Sequence, residues 1–321
     1  MELLHTGKVK RVFRDPENDG RVIIEFTDAI TAGDGEKKDE FTQKGELTCD
    51  ITQFFMKYLE KKGIRTHLIT RLDGPRLRCH RVEIFPIEVV CRNIAAGSFC
   101  RRYGVESGTE LPSPLIELFL KDDKLNDPLI SKDAALAIEL ATEDEINFMK
   151  SLALSVNYYL AELLAQIDLK LIDFKLEFGI DPSGNILLAD EISGDTMRVW
   201  DKGNVSLDKD LFRKSSGDVI EAYSELLNRL KETKPEEIAP REEAIFVSIL
   251  PKDGIKNPPG EVTKKALNRL GFIVAKDVRM GKIFAISLNR PITTEILKQL
   301  ELMNLKLLSN PIAEKRSVRL E

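Results

Sequence analysis

Ile172-Asp-Phe-Lys-Leu-Glu-Phe-Gly179, then Asp181-Pro-Ser-Gly184, then Ile186-Leu-Leu-Ala-Asp-Glu-Ile-Ser-Gly-Asp-Thr-Met-Arg-Val-Trp-Asp201 is the stretch whose reading decides the fold. Two apolar, alternating runs flank a Pro-Ser-Gly turn, which predicts a β-hairpin over residues 172–201. Asp173, Lys175 and Glu177 recur with period two, so the three project from one face. On the second strand Asp190 and Glu191 adjoin, followed by Asp195, Arg198 and Asp201. Carboxylates and cations crowded on one sheet face repel and desolvate one another unless a ligand or cation organises them. Hard oxygen donors of this kind suit Mg²⁺, which sits between one or two carboxylates and the phosphates of a nucleotide. A solvated face laced with salt bridges would account for the first strand alone. The second strand turns the reading toward a functional site.

Composition sets the outer bounds. At 321 residues the chain has room for two domains, and 42% hydrophobic with 31% charged residues is ordinary for a globular protein, so disorder is excluded as a class. No apolar run reaches the length of a membrane span, and the N-terminus lacks the basic and apolar regions of a signal peptide. Cys49, Cys79, Cys91 and Cys100 show no Cys-x-x-Cys spacing, and three histidines give them little help. A zinc site is therefore not expected, and reduced thiols in the cytoplasm are. Residues 243–321 carry 14 Lys and Arg against 8 Asp and Glu, a balance of +6, which leaves −11 on the remainder. A basic module on an acidic body implies different partners. Nucleic acid is not expected among them, because the charges are scattered and Phe246, Phe272 and Phe284 fall in apolar runs.

The elements read outward from the hairpin. Strands are predicted at 7–13, 21–26, 66–72 and 86–92, and helices at 48–62, 98–103 and 142–166, the last with an acidic first turn. The order is mixed, so the fold class is α+β. A helical pattern over 220–230 gives way to a charged, proline-bearing linker at 236–243. Domains are thus expected at 1–235 and 244–321. In the second, strand 244–250, helix 261–270, strands 273–279 and 283–288, helix 293–308 and strand 317–320 make a β-α-β-β-α-β, ferredoxin-like order.

Three further clusters join the hairpin. In Gly7-Lys-Val-Lys10 a glycine permits close backbone approach and two lysines share a face, an arrangement suited to covering a triphosphate. Arg92-Asn-Ile-Ala-Ala-Gly-Ser98 follows a strand and opens a helix, so Arg92, Ser98 and nearby N–H groups suit a phosphate. Lys121-Asp-Asp-Lys-Leu-Asn-Asp-Pro128 is a polar loop that solvent exposure alone would explain. No Ser-His or Cys-His nucleophile stands out, and His5, His67 and His80 receive no role. From the residues alone, an ATP-dependent ligase and a small-molecule kinase with a C-terminal regulatory ligand-binding domain both remain open.

The motifs carry a resemblance. Gly-Lys-x-Lys at 7–10, Ala-Gly-Asp-Gly at 32–35, Arg-Asn-x-Ala-Ala-Gly-Ser at 92–98, Leu-Lys-Asp-Asp at 120–123, Asp-Phe-Lys-Leu-Glu-Phe-Gly at 173–179 and Asp-Glu-Ile-Ser at 190–193 resemble phosphoribosylaminoimidazole-succinocarboxamide synthase, or SAICAR synthetase. The resemblance implies an ATP-binding fold of two α+β lobes and a role in purine synthesis. ATP, L-aspartate and carboxyaminoimidazole ribonucleotide would yield an amide, ADP and phosphate. It places Gly7, Lys8, Lys10 and Lys121 at ATP, and Glu177 and Asp190 on Mg²⁺ with Glu191 near. Arg92, Ser98 and Arg213 would grip the ribonucleotide's phosphate. Asp173, Lys175 and Arg198 would sit at the reacting groups, with Asp34 close by. Gly194 departs from the family, which usually has proline there.

Residues 243–321 resemble the small accessory subunit of phosphoribosylformylglycinamidine (FGAM) synthase. The carrying residues are Leu-Pro-Lys-Asp-Gly-Ile at 250–255, Ala-Leu-x-x-Leu-Gly-Phe at 266–272 and Asp-Val-Arg-Met-Gly-Lys at 277–282. This resemblance implies assembly with the large and glutaminase subunits of that enzyme, and a homo-oligomer formed through the module's sheet.

Overall fold

A computed structural model gives the fold. It describes residues 1–32, 37–214, 218–288 and 291–320. Two compact units divide between Arg241 and Glu242.

The first unit is built on two antiparallel sheets. In one, β1 (Leu3–Thr6), β2 (Lys10–Arg14) and β3 (Arg21–Phe26) meander, and the sheet continues through Arg76–His80 to Leu68–Arg71. Helix α1 (Lys44–Lys61) covers it, joining Cys49 and Met56 to Val22, Ile24, Phe26, Leu77 and Cys79 in one core. This helix starts before the expected Thr48. Gly45 is in its first turn because a Cβ there would fall 2.7 Å from the Phe26 carbonyl oxygen.

The second sheet is centred on the quoted stretch. Strand Leu169–Ile180 lies between Glu83–Ile94 on one edge and two short strands on the other. Ile186–Ala189 pairs with its Glu177–Ile180 end, and Met197–Asp201 pairs with its Leu169–Phe174 end. The expected hairpin is present, but its second strand is broken. Asp190 and Glu191 are therefore not strand residues, since residues 190–196 leave the edge and cross to the next pairing. Asp190 makes the break at φ 61°, a left-handed conformation uncommon for a side chain other than glycine. Beyond Glu83–Ile94 lies Glu110–Leu120, whose two prolines hid it from the sequence reading. The long helix Glu143–Ala165 is stopped at its start by a Thr142/Glu145 capping box.

The segment read as a linker is held against the first unit. Lys62 Nζ donates to the Ile238 carbonyl at 2.7 Å. The Arg241 N–H reaches Tyr159 Oη at 3.1 Å, and its guanidinium reaches Ser155 Oγ at 3.0 Å.

The second unit has a three-stranded antiparallel sheet with Glu243–Pro251 between Lys282–Leu288 and Glu314–Leu320. Helices Pro258–Arg269 and Thr294–Met303 complete it. The expected strand Ile273–Arg279 does not form. Asn257, which caps the first helix, bonds both the N–H and the carbonyl of Met280, so this segment packs on the helix start instead of beside Lys282–Leu288. Ile273 and Val274, at 79% and 93% exposure, face solvent.

Candidate active site

The two sheets of the first unit enclose a cavity of about 690 Å³. Val12, Val22 and Ile24 of the first sheet give it apolar walls, with Val82 and Ile84 beside them. Its charged lining gathers Lys8, Lys10, Lys121, Lys175, Glu177, Asp190 and Glu191, and Gly7 lies in the same wall. These residues come from four motifs far apart in the chain, at 7–10, 120–123, 173–179 and 190–193, so it is the fold that unites them.

Each carboxylate here faces an ammonium. Lys10 is paired with Asp190 and lies 3.1 Å from Glu191. Lys121 is 2.6 Å from Glu177, and Lys175 is bound by Glu88 and lies 3.2 Å from Glu177. Burial disfavours the Lys10 ammonium, but Asp190, Glu191 and Glu177 outweigh it and hold its pKa above the ordinary lysine value. Burial likewise works against the Asp190 carboxylate, and Lys10 and Lys175 overcome it, keeping that group well below the carboxylate range. Lys8 reaches Asp123 of the polar loop at 2.8 Å.

A second cavity of about 250 Å³ adjoins the first and shares Glu88, Asp127, Lys175, Asp195 and Thr196 with it. Arg92, Arg198 and Arg213 line this one. Asp173 ties two of them together: Arg92 Nη1 donates to it at 2.6 Å and Arg198 Nη1 at 2.8 Å. Asp210 takes Arg198 Nε at 3.1 Å and also pairs with Arg213. Ser98 Oγ lies 3.4 Å from Arg92 Nη2 at the first turn of its helix. Gly97, just before it, is required: φ is 56°, and a Cβ would fall 2.6 Å from Arg198 Nη2. Asp34 lies outside the described residues.

Residues 3–230 match the family described as SAICAR synthetase. The chain belongs to that family. The phosphoribosylaminoimidazole-succinocarboxamide synthase of Nautilia profundicola is 48% identical over 236 residues, 73% of this chain and 100% of that protein. A structure described as SAICAR synthetase (Type-2) in complex with ADP superposes with a TM-score of 0.69 at 45% identity, covering 73% of this chain and 99% of that one. The Ehrlichia chaffeensis synthase gives 0.70 at 42%, covering 72% and 98%. Residues 244–321 match the family described as phosphoribosylformylglycinamidine (FGAM) synthase. The protein is thus a ligase-family chain of purine biosynthesis with an FGAM synthase module appended.

Several residues of these cavities in the SAICAR synthetase unit carry no sequence signal. Glu88, Glu117 and Asp210 each hold a predicted lysine or arginine from a separate element. All three histidines line the larger cavity. His67 is buried with Nε2 3.1 Å from the Asp190 carbonyl oxygen, and burial pushes its pKa down to about 4. A carbonyl oxygen accepts, so Nε2 carries the proton and steadies the strained residue.

Proposed function

We propose that the first unit joins L-aspartate to the carboxylate of carboxyaminoimidazole ribonucleotide, consuming ATP and releasing ADP and phosphate. One observation supports this above the rest. A cavity of lysines and carboxylates meets a cavity of arginines along a shared wall, as a reaction between a triphosphate and a phosphorylated carboxylic acid requires. The relative solved with ADP fits the larger cavity's role.

A carboxylate is a poor acyl donor. One of its oxygens therefore attacks the γ-phosphorus of ATP, ADP departs, and the amine of aspartate then displaces phosphate from the acyl carbon. Lys8, Lys10 and Lys121 bind the polyphosphate, and the lysines around the transferred group offset its developing charge. Arg92 and Arg213, with Ser98, hold the 5′-phosphate. Asp173 acts by fixing Arg92 and Arg198, and Lys175 at the shared wall meets the reacting carboxylate.

Glu177, Asp190 and Glu191 fit Mg²⁺ by donor chemistry. Among the described residues they do not make a three-donor metal cluster. That suits an ion held mostly by phosphate oxygens and water. When bound, Mg²⁺ supplies positive charge to the phosphates of ATP.

The second unit serves assembly: it docks the chain to the large and glutaminase subunits of FGAM synthase and pairs with a second copy. Basic positions such as Lys264, Lys265, Arg279 and Lys282 are part of that surface. The chain acts in the cytoplasm. Among the described residues no helix is long and apolar enough to cross a membrane. Omitting each substrate in turn tests the ligase reading, since ADP formation should require both aspartate and the ribonucleotide. Phosphoryl transfer to a hydroxyl acceptor without aspartate contradicts it. Loss of small-molecule feedback on deleting residues 243–321, with partners unchanged, contradicts the assembly reading.

A further inference from the structure

Asp195 lies on the wall that both cavities share, with its side chain 3% exposed. Lys44 pairs with Oδ2, Tyr223 Oη donates to Oδ1 at 3.0 Å, and Lys209 Nζ lies 3.9 Å from Oδ1. Tyr223 is wholly buried on helix Val219–Leu230. Its ring lies directly against Gly194. A Cβ on Gly194 would fall 2.5 Å from Tyr223 Cε1 and Cζ and 2.9 Å from Oη. Gly194 is not in the left-handed region, so space and not backbone conformation calls for glycine. Its carbonyl also accepts the Lys209 N–H at 3.0 Å. Moving residue 194 therefore moves both the ring that fixes Asp195 and the backbone that carries Lys209.

The protonation states suit these bonds. Burial and the Asp195 charge push the Tyr223 hydroxyl up, so it keeps its proton to donate. Burial opposes the Asp195 carboxylate, but Lys44 and Lys209 hold it down at about 2. Any larger residue at position 194 would occupy the space of the tyrosine ring.

We infer that Gly194 and Tyr223 are a matched pair of positioning residues: the ring fits over the glycine, and its hydroxyl holds Asp195, and through it the Lys209 ammonium, where the two cavities meet. This rests on the ligase reading, because the groups so placed face the site where carboxylate, phosphoryl group and amine come together. Tyr223 itself is buried and lines neither cavity.

The test uses the full chain with Tyr223→Phe, Gly194→Ala and the double variant. Rates of ADP formation give kcat and the KM for each substrate, and thermal melting is recorded alongside. Each single variant should lower kcat about tenfold, the scale of a lost hydrogen bond to a charged group, while the KM for ATP stays within about twofold. The double variant should be no slower than the slower single one, because both substitutions break the same contact. Three results overturn the inference: a Tyr223→Phe kcat within about twofold of the parent, effects that multiply in the double variant, or all three KM values and the melting temperature shifting together. If Gly194→Ala does not fold, Tyr223→Phe alone decides. A parent chain that makes no aspartate-dependent ADP overturns the ligase reading and this inference with it, so the two failures are distinguishable.

Discussion

Glu117 holds Arg92 Nε at 2.6 Å, and both side chains are almost fully buried. The bond aims the remaining guanidinium nitrogens at Asp173 and the smaller cavity. Glu117→Gln keeps an acceptor but removes the charge. Binding to a phosphate remote from the chemistry is largely uniform between ground and transition states, so the KM for the ribonucleotide should rise by about tenfold with a smaller change in kcat. Steady-state kinetics over the ribonucleotide concentration check this, and an unchanged KM would contradict it.

Glu177→Ala and Asp190→Ala should each lower kcat by about 10²–10³, the scale of a lost electrostatic group at a transition state. Circular dichroism should match the parent. The assay is run across Mg²⁺ concentrations, and parental activity in both variants at limiting Mg²⁺ would remove them from the metal assignment.

Asp208 gives a pH signature. It is wholly buried, and burial together with the charge of Asp210 pushes its carboxyl up to about 6. In the unfolded chain the group titrates near 3.9, so the folded state holds the proton more tightly and stability falls as pH rises from about 4 to about 6. Asp208→Asn removes that titration. The melting temperature of the variant, relative to the parent, should climb over this window. A relative decline would reverse the sign.

Period-two patterning made the acidic strand legible, because Asp173, Lys175 and Glu177 share one face whatever lies opposite. The groups that hold them were not legible. Lys44 meets Asp195 across 151 residues, and Lys175 meets Glu88 across 87, distances over which periodicity says nothing. The break at Asp190 was hidden for a different reason: its left-handed φ occurs at a residue with no glycine signal. Residues 273–279 read as a strand by composition, yet Asn257 diverts Met280 to the helix start. Local pattern cannot anticipate a side chain that competes for backbone groups from afar.

The stretch 234–241 predicts where the chain can be cut. A chain ending at Arg241 should form ADP as the parent does while losing co-purification with FGAM synthase subunits. Ending at Thr233 also removes the bonds from Lys62 to Ile238, from Gln166 to Lys234 and from Arg241 to Tyr159 and Ser155. Four hydrogen bonds at a net of about 0.5 kcal/mol each are worth about 2 kcal/mol, so melting should fall by roughly 4–8 °C. Equal melting temperatures for the two truncations would show that the segment contributes nothing.

In the proposed reaction ATP activates the ribonucleotide's carboxylate by phosphorylating it. Ribonucleotide labelled with ¹⁸O in that carboxylate, turned over with ATP and aspartate, reports this directly through the mass of the phosphate released. One labelled oxygen is expected in each phosphate formed. Unlabelled phosphate, with label retained in the amide product or lost to water, would contradict it.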